Sequence, residues 1–554
     1  MKKLMMPAGI SDFEKIRKEG YYYIDKSNLI SSLLEQNPTV TLITRPRRFG
    51  KTIAMDMLYN FFDISKDSTE IFQGLNISRN TELCKKWMNQ YPTVFLSFKE
   101  IDGRNFDLAY ERLQMKIGQL YRTYEYVLDC PRIPEEDKNT FIQIKKEQGS
   151  EAQVCASLEL LVRMLEIFHQ KPVILLLDEY DVPVAKASDN GYYTEMLDVM
   201  KNIMQVFKDN KSLCFAVITG CLRIAKESIF TGTNNFITNT ISDTDFGEYF
   251  GFTQQEVNHI LSDAGATEQA SQVQQWYDGY HFGNFDIYCP WSIINYVRSF
   301  LKEGKTAPEC YWNNTSGNTI IRSFIDNFSI DIGDEFETLM AGGYVTKNIE
   351  ENLTYDFLHS SEDNFWSVLY LTGYLTKNAS AVASTQRSQL NLRIPNKEVR
   401  EIFNISIRNW FNDTVKSLDR KELFRAVWSG NSDIMSDKIT DILLMTISFH
   451  DYGEDFYHAF LAGIFTGAGY KVESNREHGL GRSDIIVFDR RNRQIAIFEL
   501  KHSKKESELE TDCDRALDQI DENAYATDYS RVYKKIYCYG VSFYKKECMV
   551  KRRV

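Results

Sequence analysis

Two sets of residues in this 554-residue chain have the types and spacing for phosphate chemistry. The first is Gly50-Lys51-Thr52, which follows the apolar run Val40 to Thr44 and the loop Arg45-Pro46-Arg47-Arg48-Phe49. A strand, a tight loop and then a helix is the physical recipe for holding a polyphosphate. Backbone N–H groups and the helix N-terminus face the anion, an ammonium such as Lys51 neutralises the outer oxygens, and the Thr52 hydroxyl ligates magnesium. Gly50 is needed because a side chain there would block close approach of the backbone. The standard pattern has a glycine where this chain has Arg45, so the residues alone leave the first turn of the loop unexplained.

The same chemistry needs carboxylates, and Pro172-Val173-Ile174-Leu175-Leu176-Leu177-Asp178-Glu179 supplies them at the end of a fully apolar strand. Asp178 is expected to hold magnesium through water and Glu179 to polarise the attacking water. Together the two motifs predict a P-loop nucleoside triphosphatase with ATP and magnesium as cofactors. The run Cys214 to Thr219 places Thr219 where such enzymes carry a polar sensor of the terminal phosphate. Arg223 follows, within reach of its own nucleotide or, in a homo-oligomer, of a neighbour's. Arg47 and Arg48 are expected to face the nucleotide with Gly50, Lys51, Thr52, Asp178, Thr219 and Arg223.

The second set lies near the C-terminus. Metal-dependent cleavage of a phosphodiester needs hard oxygen ligands converging on magnesium and a cation beside the attacked phosphate. Asp484 opens one strand, and Glu499-Leu500-Lys501 closes the next. Glu499 and Lys501 share a face because strand side chains alternate. Two adjacent strands can thus aim Asp484, Glu499 and Lys501 at one point, with Asp484 and Glu499 as metal ligands.

These motifs must be positioned by regular elements. Up to about residue 300, short apolar runs alternate with amphipathic stretches, as in α/β units. Strands are predicted at Val40 to Thr44, Thr93 to Phe98, Val173 to Leu177 and Cys214 to Thr219. Helices are predicted at Thr52 to Phe62, Ala156 to Phe168 and Thr194 to Phe207. Residues 301–435 read as mostly helical and aromatic-rich, with a winged-helix-like piece around Phe365 to Ile394. From about 436 a new order begins: a helix over Phe456 to Thr466, strands near Tyr470 to Ser474, Asp484 to Phe488 and Gln494 to Glu499, then an acidic helix.

The formal charge of −12 argues against a chain coated in basic surface for indiscriminate nucleic-acid binding. The balance is uneven: from Asp441 onward 18 Lys/Arg meet 19 Asp/Glu, so nearly all the negative excess lies upstream. Arg531 to Arg553 carries eight Lys/Arg against Glu547 alone, which suits either a solvated tail or a phosphate-facing strip. Ten scattered cysteines without a CxxC pair and eight dispersed histidines point away from a disulfide framework or a zinc site. No apolar run approaches the ~20 residues of a membrane helix, and the N-terminus lacks a signal-peptide core, so a cytoplasmic protein without membrane partners is expected.

Asp25-Lys26, the Arg45 to Thr52 loop, Leu177-Asp178-Glu179-Tyr180-Asp181 and Trp276-Tyr277-Asp278-Gly279-Tyr280 occur in an order that resembles the bacterial AAA-ATPase-like family. That family is often fused to a C-terminal PD-(D/E)XK nuclease-like domain. The resemblance spans roughly residues 5 to 290, and the Arg-Pro-Arg-Arg-Phe form of the loop is usual in the family. It implies a lid containing Tyr288-Cys289-Pro290-Trp291, where Cys289 stands in place of a frequent asparagine. In the C-terminal domain it implies that Glu454 is an additional acidic metal ligand and that Gln519 and Tyr525 match the superfamily's Gln-to-Tyr pair.

The expected architecture is therefore an ATPase domain with a lid over 1–300, a middle region over 301–435 and a restriction-endonuclease-like α/β domain over 436–554. The leading function is an ATPase coupled to a nuclease-fold domain acting on nucleic acid. The alternatives are a nucleotide-controlled switch whose C-terminal domain binds nucleic acid or protein without cleaving, and an interaction protein with a relict phosphate loop.

Overall fold

The protein is described by a computed structural model covering residues 4–223, 236–304, 307–312, 333–351, 353, 361–378, 389–405, 421–446, 454–466, 469–478, 481–523, 529 and 532–553. These residues fall into two compact units: those of Met1–Asn314 with Tyr344–Arg400, and those of Thr315–Gly343 with Glu401–Val554. The expected middle region is therefore divided. Its 301–314 and Tyr344–Arg400 parts fall in the first unit, and its Thr315–Gly343 and 401–435 parts fall in the second.

The first unit is organised by a parallel sheet of β1 (Val40–Thr44), β2 (Thr93–Ser97), β3 (Val173–Asp178), β4 (Leu213–Gly220) and β5 (Phe236–Asn239), in the spatial order β2-β3-β4-β1-β5. β1 and β3 are buried along their whole length, which accounts for the apolar run Val173–Leu177 and for the β-branched and apolar residues of β1. Helices cover both faces. The helix Lys51–Phe62 packs on one through Met55, Leu58 and Phe62, with Ile174, Leu176 and Val217 of the sheet. The helices Phe106–Thr123 and Ser157–His169 cover the other, with Leu175 and Leu177.

The strand Thr93–Ser97 lies between the two motifs in sequence but at an edge of the sheet in space. It is β4, bearing Thr219, that separates the phosphate-loop strand β1 from the carboxylate strand β3. This is a P-loop NTPase fold of the kind with a catalytic glutamate.

The Tyr344–Arg400 part holds β8 (Val345–Asn348), the helix Glu362–Leu371, β9 (Thr376–Lys377) and β10 (Gln389–Arg393), after a hairpin of β6 (Tyr280–Phe282) and β7 (Phe285–Ile287). β10 pairs antiparallel with both β8 and β9. A helix followed by an antiparallel strand pair thus stands where the winged-helix-like piece was expected.

In the second unit, β11 (Lys471–His478), β12 (Gly481–Asp489), β13 (Gln494–His502), β14 (Lys535–Tyr544) and β15 (Glu547–Arg552) form one sheet in sequence order. Only β13 and β14 run parallel, joined across the helix Leu509–Glu522. Its two faces are distinct. Ile485, Val487, Ala496 and Phe498 pack with the helices Lys421–Ser429 and Glu454–Thr466. Ile486, Phe488, Ile495 and Ile497 pack with Leu517 and Ile520 of the helix Leu509–Glu522.

The segment over Arg531 to Arg553 is neither a tail nor a free basic strip. Most of it is strand, Lys551 pairs with Asp514 and Glu510, and Arg553 pairs with Asp518 and Asp521. Two of the eight basic residues of the run are thus paired with carboxylates of the helix Leu509–Glu522 laid against it. No described helix is long and apolar enough to cross a membrane.

Candidate functional sites

The phosphate loop is assembled by contacts that its unusual sequence makes possible. Arg45 is fully buried. Its guanidinium donates to the carbonyls of Thr44 (2.8 Å), Asn239 (3.0 Å) and Asp245 (3.2 Å) and to Asn239 Oδ1 (2.6 Å), and it sits over Phe250 and Phe282. Burial lowers its pKa, and Asp243 opposes that shift. Arg45 thus ties the end of β1 to the end of β5, a role a glycine cannot perform.

Four residues on, Phe49 is buried edge-on to Tyr280, with Phe282 also 4.9 Å from it. Between these anchors the backbone turns with Arg48 at φ +73° and Gly50 at φ +83°. The left-handed region is costly for an arginine, and its neighbours hold it there.

Arg48 does not extend into solvent. It donates to the Tyr311 carbonyl (2.7 Å) and its guanidinium lies 4.6 Å over the Trp291 ring. Burial lowers its pKa. Arg48, expected to face the nucleotide, instead tethers the loop to Trp291 and Tyr311 in this structure. Arg47 is exposed at the loop. Arg223 is half-buried just beyond β4.

The residues expected to carry the chemistry meet at the ends of three adjacent strands and the start of a helix. The Thr52 hydroxyl donates to Asp178 Oδ2 (2.9 Å) and the Thr219 hydroxyl to Asp178 Oδ1 (2.6 Å). Asp178 and Thr219 are fully buried. Lys51 Nζ donates to the carbonyls of Arg45 and Pro46, both at 2.9 Å, and lies 3.5 Å from Cys221 Sγ.

Glu179 has a left-handed backbone at φ +52°, and its amide donates to Thr219 Oγ1 (3.4 Å). Its carboxyl pKa is raised chiefly by burial, an effect that Lys51 opposes. A buried carboxylate, two hydroxyls and a lysine ammonium around a helix N-terminus fit a metal-bound polyphosphate.

Sequence reasoning missed three supporting residues. Asp181 Oδ2 accepts from the amides of Cys221 (2.9 Å) and Leu222 (3.0 Å), and Tyr180 donates to the Leu222 carbonyl (3.0 Å). The Tyr-Asp half of the Asp-Glu-Tyr-Asp run thus clamps the chain leaving β4. Glu398 is fully buried and accepts from Ser292 Oγ (2.7 Å) and the amides of Tyr311 (2.7 Å) and Trp312 (3.2 Å). Burial pushes its carboxyl up to about 7.

The other matched motifs are architectural. Lys26 pairs with Glu256 at 2.6 Å, and Asp25 accepts the amides of Ser27 and Asn76. A side chain on Gly279 would collide with the Pro395 carbonyl. Cys289 caps the helix Pro290–Glu303 and accepts from Trp312 Nε1 (3.3 Å).

In the second unit, the alternation of β12 and β13 sets Asp484, Glu499 and Lys501 on the face covered by the helix Leu509–Glu522. Asp484 Oδ2 accepts from the Leu500 amide (2.8 Å), and its carbonyl accepts from His458 Nε2 (2.8 Å). Lys501 Nζ lies 3.5 Å from Glu499 Oε1. Glu499 is almost wholly buried, and its Oε2 has no hydrogen-bond partner. Burial, with Asp484 nearby, pushes its carboxyl up to about 7.

An orphaned buried carboxylate oxygen beside a second carboxylate suits a divalent cation. Gln519 is half-buried on the covering helix. Glu454 begins the helix Glu454–Thr466, but its side chain and Tyr525 lie outside the described residues. Among the described residues no group of three or more metal-ligating side chains forms.

Comparison with known proteins bears on both units. Residues 7–230 match the model of the predicted AAA-ATPase family, and residues 452–553 match that of the PD-(D/E)XK nuclease superfamily. The chain joins an AAA-ATPase-like domain to a PD-(D/E)XK nuclease-superfamily domain. The AAA-ATPase-like match contains the phosphate loop, Asp178, Glu179, Thr219 and Arg223; the PD-(D/E)XK match contains Asp484, Glu499 and Lys501.

An uncharacterized protein from the vnfD 5' region of Azotobacter chroococcum mcd 1 is 24% identical, over 98% of this chain and 97% of its own. The structure of the Aeropyrum pernix ORC2 protein in ADPNP-ADP complexes aligns at 10% identity and a TM-score of 0.26, covering 73% of this chain and 97% of its own.

Proposed function

We propose that this chain is a magnesium-dependent ATPase, and that its C-terminal unit cleaves phosphodiesters in nucleic acid under the control of the nucleotide cycle. The observation that carries the ATPase half is the convergence of Thr52 and Thr219 on the two oxygens of Asp178. In this reading Asp178 and Thr52 hold magnesium, Lys51 and the loop amides hold the β- and γ-phosphates, and Thr219 monitors the γ-phosphate. Glu179 orients the attacking water, and Arg47 and Arg223 add positive charge at the phosphates.

The nuclease half rests on the unpartnered Glu499 oxygen beside Asp484 and Lys501. Asp484 and Glu499, with Glu454, hold magnesium, and Lys501 stabilises the charge that develops on the phosphate. The protein works in the cytoplasm in this account, and a homo-oligomer would let Arg223 act on a neighbour's nucleotide.

A second reading is a nucleotide-controlled switch whose C-terminal unit binds nucleic acid or protein without cleaving. One assay separates the readings: cleavage of single- and double-stranded DNA and RNA in magnesium or manganese, with and without ATP, alongside phosphate release. Phosphate release lost in Lys51→Ala supports the ATPase. Cleavage by wild type that is lost in Asp484→Ala supports the nuclease, and none across all substrates and metals leaves the switch.

A further inference from the structure

The second unit carries a cleft that the residues discussed above do not use. It is a shallow depression, wide open to solvent, of about 600 Å3. One wall is the helix Lys421–Ser429, where Lys421, Phe424, Arg425 and Trp428 recur at the spacing of a single helical face. Tyr470, just before β11, forms the other wall, and Ser429 lies at the end of the helix. Phe424 and Trp428 sit 5.3 and 5.8 Å from the Tyr470 ring, and Trp428 Nε1 donates to the Tyr470 hydroxyl (3.1 Å).

The aromatic wall is fixed from behind. Tyr537 donates to the Trp428 carbonyl (2.7 Å) and Tyr539 to the Val427 carbonyl (2.5 Å), so the last turn of the helix is held to the sheet. Yet Phe424, Trp428 and Tyr470 each remain partly exposed. Among the described residues the cleft is lined by two basic side chains and no acidic one. Glu422, the acid of the same helix, is paired with Lys438 at 3.2 Å. Rigid aromatic faces beside exposed cations match a ligand with a flat ring and a phosphate, in which the base packs on the rings and the cations take the backbone charge.

We propose that this cleft binds the nucleobase-phosphate unit of nucleic acid single strands or of free nucleotides. It lies on the sheet face opposite Asp484, Glu499 and Lys501, so occupancy here does not require cleavage there. It would give the C-terminal unit a grip on a strand that is independent of metal.

The test uses the full chain in EDTA, which removes metal-dependent cleavage, with fluorescently labelled oligothymidylate and oligouridylate read by anisotropy. Binding should weaken as salt rises, and by about tenfold or more in Lys421→Gln/Arg425→Gln and in Phe424→Ala. Binding that persists in EDTA, where metal-dependent cleavage is stopped, separates this site from the proposed nuclease. Lys421 and Arg425 are exposed, so their variants should melt like wild type.

AMP added to the Lys51→Ala variant, where the phosphate loop is disabled, distinguishes the sources. Competition at micromolar AMP assigns the cleft to nucleotides, and competition only by oligonucleotide assigns it to strands. Affinity within twofold of wild type in both variants overturns the proposal. So does competition by inorganic polyphosphate equal to that by the oligonucleotide, because a site without base recognition is only a charged patch.

Discussion

The Thr52 hydroxyl donates to Asp178 Oδ2 at 2.9 Å, joining the first turn of the phosphate-loop helix to the end of a strand 126 residues later. Thr219 occupies the other oxygen of the same carboxylate. A metal entering here would take these hydroxyl and carboxylate oxygens as ligands or as partners of its waters, without moving the backbone. In the proposed ATPase, the residue next to Asp178 is the one expected to decide whether a bound nucleotide is only held or also hydrolysed.

That residue is Glu179. Replacing it with glutamine keeps the shape and removes the base. Glu179→Gln should bind ATP with near wild-type affinity by calorimetry while releasing phosphate roughly 10²- to 10⁴-fold more slowly. Wild-type turnover in this variant would move the role elsewhere, with Asp181 the first suspect.

Arg45 tests the architecture of the loop rather than its chemistry. Arg45→Met leaves the Asn239 and Asp245 acceptors buried without their donor. It should lower unfolding free energy by about 3 kcal/mol or more in a urea titration. Arg45→Lys should not restore it, since an ammonium cannot span the same fork of acceptors. A loss under about 1 kcal/mol in either variant would show that water replaces the guanidinium at little cost.

Glu398 predicts a pH dependence of stability. Its folded pKa of about 7 is above the ordinary 4.5, so in between the folded protein holds a proton that the unfolded chain releases. Stability should therefore fall as pH rises from about 4.5 to about 7 and level off above, by a total of order 3 kcal/mol. Melting temperatures across that window should slope downward with pH, and Glu398→Gln should remove this component. Identical slopes in the two proteins would assign the dependence to other groups.

Lys501 and Asp484 separate metal binding from phosphate stabilisation. Lys501→Ala should retain manganese binding by calorimetry but lose cleavage by on the order of 10²-fold or more. Asp484→Ala should lose both, and each variant should still hydrolyse ATP. If Lys501→Ala cleaves at the wild-type rate, the cation at the phosphate must come from another residue.

The sequence by itself determined every element whose reason is local. A short apolar or β-branched run between turn residues suits a buried strand, so β1 was placed at Val40–Thr44 and β3 within one residue of its end. Strand alternation put Glu499 and Lys501 on one face, and the order of the helix and strands β11 to β13 was evident from periodicity. The roles of Arg45, Asp181 and Glu398 were not legible in the sequence, because a buried charge is defined by hydrogen-bond partners as much as 194 residues away and has no local signature. The division of the middle region also depended on long-range packing, since a short helix and a few strands carry no record of which core they complete. The basic run after Arg531 shows the same limit. Its charge is plain in the sequence, but only the fold lays the helix Leu509–Glu522 against it and pairs Lys551 and Arg553 with that helix's carboxylates. Local patterns specify elements, whereas sites arise where elements distant in sequence are brought together by burial, and that convergence exists only in the tertiary structure.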